Sequence, residues 1–260
     1  MAESISTMRL PDGSAIKLEY HKSLPSASLL AKEYAAKGYP DRYVIITEEQ
    51  FTTGILRSKL APGESEKGIF VSVILRPTLF PSQMGALSPL SATALLTALE
   101  KHTDNKLGIG WLSDVYCNGH RIGGVNVEGK LDSFSSFEYL IVTFAVRADE
   151  ENFPPRLSDM LRQVFEENNE TVGIIIAKTI VTKFFEVYRD LKNPDKHAKV
   201  YKDRFILGDK KIKYLSEGKK RRCRVIEAST STFSLICETS SGERITLNSP
   251  SLVIIPETIK

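Results

Sequence analysis

Asn118-Gly119 restricts the fold of this chain more than any other pair of residues. Both tolerate positive φ, and apolar residues flank them at strand-like spacing, with Ile109, Trp111 and Val115 before and Ile122, Val125 and Val127 after. That pattern predicts two antiparallel strands joined by a two-residue turn. Gly123-Gly124 falls inside the second strand. Missing side chains weaken a sheet, so a glycine pair there implies that something approaches the backbone closely. A flat ligand is one candidate.

The remaining pattern is mixed. Pro11-Asp12-Gly13 is a turn signal ahead of an alternating strand at Ala15–Tyr20. A helix-period run follows at 29–38, with Leu30, Tyr34 and Lys37 on one side and Gly38 as its stop. Tyr43–Thr47 and Ile69–Leu75 read as buried strands, separated by a polar loop from Gln50 to Lys67 that is long for a mere connection. Ser88-Pro89 reads as the N-cap and first turn of a helix over 91–102. Beyond a strand at Tyr139–Val146, residues 156–168 and 172–191 predict two amphipathic helices. From Tyr201 the pattern predicts short strands, which divides the chain into residues 1–200 and a small β-domain of residues 201–260.

Composition excludes some classes. With 42% apolar and 26% charged residues among 260, the chain can bury a sizeable core. A formal charge of +3 is too small to point to nucleic acid. Cys117, Cys223 and Cys237 carry no CxxC or zinc spacing, so no metal site and a reducing, cytoplasmic setting are expected. No run approaches the roughly 18 apolar residues of a membrane span, and MAESISTMRL has no apolar leader core.

Trp111, Asp114, Val115, Tyr116, Asn118, Gly119, Ile122, Gly123, Gly124, Val125 and Glu128 together resemble the signature of the biotin–protein ligase family, within the wider biotin and lipoate ligase group. Gly110 stands where that family has its reactive-site lysine, Leu112 and Ser113 replace a Pro-Asn pair, and Arg121 replaces a second lysine. The resemblance covers about residue 15 to the end. It implies an α+β fold, a mixed β-sheet flanked by helices and related to class II aminoacyl-tRNA synthetases, followed by a small C-terminal β-barrel. The helix-turn-helix of repressor members has no counterpart here.

The resemblance also implies a site. Ser26, Ala27 and Ser28 stand in the place of residues that bind the ureido ring, although helix N-capping explains the serines equally. Gln50 opens the loop that closes over biotin and phosphate in the family. Only Gly54, Arg57 and Lys59 keep its glycine- and arginine-rich character. Gly110 and Trp111 lie in the signature, and Gly123 and Gly124 form a platform. Asp114 is placed to position a metal–nucleotide complex, or is a surface aspartate. Arg121 is a weak catalytic candidate, able to hold phosphate but unable to act as a neutral amine. Arg147 replaces an asparagine near the nucleotide. Cys117, as the nucleophile of a thioester acyltransferase, is a minor alternative.

The expected activity is ATP-dependent activation of biotin to biotinyl-adenylate and its transfer to a lysine of a carboxyl carrier-type domain, with biotin and Mg-ATP as ligands. The alternative is a catalytically impaired pseudo-ligase that binds a ligand or a protein. A third possibility has the C-terminal β-domain recruit a partner; its basic run Lys219–Arg224 reads as a solvated strand rather than a nucleic-acid site. A lysine restored at Gly110 is expected to yield adenylate if the pocket is otherwise intact.

Overall fold

The structure is a computed structural model that describes residues 3–52, 64–78, 84–148, 154–167, 169–216, 218–248 and 253–254. Gly54, Arg57 and Lys59 lie outside the described residues.

Among the described residues eight strands form one sheet: β1 (Ser4–Arg9), β2 (Ala15–Leu24), β3 (Tyr43–Gln50), β4 (Glu66–Leu75), β5 (Gly108–Ile109), β6 (Asp114–Cys117), β7 (His120–Leu131) and β8 (Phe137–Arg147). Their order is β1-β2-β3-β4-β8-β7-β6-β5. Among the described residues of this sheet only β2 and β3 pair in parallel, and α1 (Ala27–Ala36) makes the crossover between them. One face carries α2 (Leu87–Leu99), α3 (Pro155–Phe165), α4 (Glu170–Arg189) and α5 (Asp195–Arg204) over the larger core. The other face carries α1 over a smaller core. A second, antiparallel sheet contains β9 (Lys211–Ser216), β10 (Lys219–Ala228), β11 (Leu235–Thr239), β12 (Arg244–Leu247) and β13 (Val253–Ile254). The mixed sheet with flanking helices is as the sequence implies.

Asn118 and Gly119 have φ of 49° and 82° and join β6 to β7, the predicted tight turn. The strand expected before that turn is instead two short ones. The chain reverses between Ile109 and Asp114, so β5 pairs with β6. Other differences have similarly local reasons. The face of α1 that meets the sheet is Ala27, Ala31 and Ala35, with Leu30 and Tyr34 on its flanks. Small residues let the helix sit close. Ser88 does not cap α2, which begins at Leu87 behind Ala86, leaving Ser88 and Pro89 in the first turn, where a missing N–H costs nothing. Tyr201 belongs to α5, an unanticipated helix, and is fully buried against Phe233.

Polar anchors fix α1. Arg76 donates to the carbonyls of Ala35 (2.6 Å), Tyr39 (2.9 Å) and Glu138 (3.0 Å), tying the end of α1 to β4 and β8. The buried Glu19 carboxylate accepts from Tyr34 (3.0 Å) and Tyr43, with His21 Nε2 at 2.8 Å. On the opposite face of the sheet, β7 runs close under α2. A Cβ on Gly123 would lie 2.8 Å from the Ala145 carbonyl oxygen and 3.4 Å from Leu95. Gly123 is therefore a packing glycine. Gly123→Ala is expected to lower unfolding stability by about 1–3 kcal/mol, read as a lower urea midpoint at unchanged m-value.

Candidate functional site

The open side of the sheet, beside α1, holds a cleft of about 630 Å³, within the usual range for small-molecule sites. Among the described residues, six separate stretches of chain wall it. Ser26 has extended φ/ψ and caps α1, its Oγ accepting from Leu29 N at 3.4 Å and lying 3.1 Å from Ser28 Oγ. The capping and ligand-facing readings of this pair are compatible, because both serines also line the cleft. Gln50, buried at the end of β3, donates from Nε2 to Glu66 at 3.2 Å and lines the same space.

The opposite wall comes from β6 and β7. Asp114 lines the cleft and pairs in register with Gly124. Since Gly123 and Val125 face the larger core, alternation turns Gly124, Asn126 and Glu128 to the cleft. Thr143 on β8 lies opposite Asn126 and shares a 2.9 Å hydrogen bond with Ser72. Lys32, one helical turn beyond Ser28, bridges to Glu128 at 2.7 Å across one end of the cleft. With both partners about one-third exposed, the pair contributes at most about 1 kcal/mol.

The structure thus brings Ser26, Ser28, Gln50 and Asp114 together. Gly124 shares their face of the sheet, without lining the cleft. Ala27 turns into the smaller core beneath α1. Trp111 is 3% exposed and its indole N–H donates to the Phe233 carbonyl, so it joins the main sheet to the C-terminal strands instead of facing a ligand. Gly110 is no vacant lysine slot. A Cβ there would lie 2.6 Å from the ring of Tyr116, itself only 2% exposed. Arg121 forms a 3.3 Å ion pair with Asp114, both largely buried, at the cleft's edge. Arg147 shares the face of Thr143 but stands about 13 Å further along β8, outside the lining. Cys117 is buried, and burial pushes its thiol pKa up, the opposite of what a nucleophile needs. Among the described residues no group of three or more His, Cys, Asp or Glu is arranged to hold a metal, and no helix is long and apolar enough to cross a membrane.

Sequence reasoning missed Lys32, Thr52, Ser113, Asn126, Glu128 and Thr143 as lining residues. Two signals were available. Lys32 follows Ser28 by four helical positions, and Asn126 and Glu128 follow Gly124 by two and four strand positions.

Just before Gln50, β3 bulges between Thr47 and Glu49. Glu48 turns the other way there, against Gly173 of α4, and is 3% exposed. Burial raises its pKa from 4.5 to about 7, against a lowering by the Tyr20 phenol and Lys22 and a further raising by Glu170 and Glu3. A carboxyl whose pKa is raised on folding stabilises most below its unfolded value and loses that contribution as pH rises through its folded value. Stability should therefore fall by up to about 3 kcal/mol between pH 4.5 and 7.5. Glu48→Gln should flatten that slope in urea titrations across the interval.

No family profile matches the chain. The bifunctional ligase/repressor BirA of Bacillus subtilis is 25% identical over 178 residues, 66% of this chain and 54% of that protein, and BirA of Bacillus spizizenii is 25% identical over 177 residues. The chain spans about half the length of these curated relatives. Among solved structures, a biotin protein ligase mutant from Aquifex aeolicus in complex with biotin superposes with a TM-score of 0.64 at 17% identity, covering 90% of this chain and 96% of that one. The Aquifex enzyme with biotin and ATP gives 0.61 at 18% identity, covering 90% and 96%. A biotin protein ligase-like protein of unknown function from Silicibacter gives 0.64 at 10% identity, covering 94% and 97%. In sequence and in fold, the chain is a divergent relative of the biotin protein ligases.

Proposed function

We propose that the cleft between α1 and β7 binds a small carboxylic acid of the biotin class, and that the protein activates it with Mg-ATP for transfer to a lysine of a carboxyl carrier-type domain. In the first step the carboxylate attacks the α-phosphate, giving acyl-adenylate and pyrophosphate. In the second the lysine amine displaces AMP and forms an amide. The observation that carries this reading is the convergence of Ser26, Ser28, Gln50 and Asp114 on one cleft, in a fold shared with ligases solved with biotin and with ATP.

Each wall has a task in this reading. The serine hydroxyls and the Gln50 amide satisfy the polar edge of the acid. Carboxylate and phosphate repel one another, so the reacting end needs fixed positive charge. Arg121 supplies it from the cleft's edge, oriented by Asp114. Biotin and Mg-ATP as ligands, the carrier domain as partner, a cytoplasmic setting and the division between residues 1–200 and 201–260 belong to the same proposal.

A second reading, a binding module without turnover, is favoured by the same ion pair. Arg121 is already engaged by a carboxylate, and Tyr116 fills the space over Gly110. Purified protein incubated with biotin, Mg-ATP and an acceptor domain, with lipoate in parallel, separates the two. Adenylate and a mass increase on the acceptor are expected for the ligase. Absence of both, where an authentic ligase succeeds, removes the ligase reading and makes partner capture the next question. In an active protein Asp114→Asn should lower adenylate formation at least tenfold, because it frees Arg121 from its orienting partner. Gly110→Lys should lose thermal stability and gain no activity, since its Cβ meets a buried ring.

A further inference from the structure

Among the described residues the lining of this cleft is mostly polar, which is unsuited to a plain acyl chain. From Asp114 and Ser113 the wall runs past Asn126 to the Lys32–Glu128 bridge, and Val125, which also packs into the larger core, touches it from β7. Among the described residues, the apolar ones that line the cleft are Leu29, half exposed, Phe70 and Val125. An aliphatic chain gains affinity by leaving water for apolar surface, about 25 cal/mol per Å². Here it would instead strip water from amide, hydroxyl and carboxylate groups without replacing their hydrogen bonds.

Asn126 is the decisive group. Its partners on the cleft face are already engaged: Thr143 bonds Ser72, and Glu128 bonds Lys32. Among the described residues the Asn126 amide has no hydrogen-bond partner, and it lines the cleft between Asp114 and Glu128 with two donors and one acceptor available. Resting on the reading of the cleft as an acid-binding site, we propose that it selects a carboxylic acid carrying an amide or hydroxyl group partway along its length, and that Asn126 discriminates against the unsubstituted acyl chain.

Two acids of equal chain length test this without ATP or a carrier. N-pentanoylglycine and octanoate differ chiefly by an amide in the middle of the chain. Calorimetric titration of the full chain should show the amide acid binding about tenfold tighter, the scale of one or two net hydrogen bonds. Asn126→Leu, at an exposed position, should bring the ratio to one or below by admitting octanoate, and Asn126→Gln should keep the preference. Equal or tighter octanoate binding by the wild type, an unchanged ratio in Asn126→Leu, or binding of neither acid overturns the proposal. Adenylate formation is measured separately. Its absence with the preference intact removes the ligase reading alone, and its presence with octanoate preferred removes the selectivity alone.

Discussion

The close seating of α1 on the sheet is the constraint on which the rest of the site depends. Three alanines, Ala27, Ala31 and Ala35, bring the helix down onto Phe70, Ile74, Ile141 and Ala145. Arg76 holds its C-terminal end by three backbone carbonyls, and the Glu19 network holds Tyr34. A bulkier residue on that face would lift the helix and carry Ser26, Ser28 and Lys32 away from β7 together. Apart from Phe70, the side chains that set the position of this wall of the cleft do not line it.

Much of the fold was legible because its signals are local. Asn118-Gly119 needs positive φ and has it, and the buried runs at Tyr43 and Ile69 are strands. What was hidden depends on tertiary partners. The reversal between Ile109 and Asp114 leaves no turn dipeptide comparable to Asn-Gly, and Tyr201 looked like the start of a strand because its burial inside α5 is decided by Phe233. In the site, Ser26, Ser28, Gln50 and Asp114 were readable from family resemblance. The role of Trp111 was not. Its indole N–H is satisfied by a carbonyl 122 positions further along the chain, a contact that no local pattern encodes.

Gly110 and Arg121 show how two substitutions within one motif differ physically. At Gly110 the change is steric: the space a longer side chain would enter is filled by Tyr116. At Arg121 it is electrostatic: positive charge persists, but as a permanently protonated group held by a carboxylate. The first leaves no room for a longer side chain at its position, and the second is a cation held in place by its partner.

The parallel pairing of β2 with β3 groups the residues of one wall on a single unit of chain. Ser26, Ser28, Lys32 and Gln50 all lie within that one strand–helix–strand crossover, while Asp114, Asn126 and Glu128 lie within the β6–β7 hairpin. Each half of the cleft is one contiguous cassette with its own backbone pairing. Exchange of either cassette would replace most of one wall at once, while Phe70 on β4 and Thr143 on β8, which line the cleft between them, stay in place.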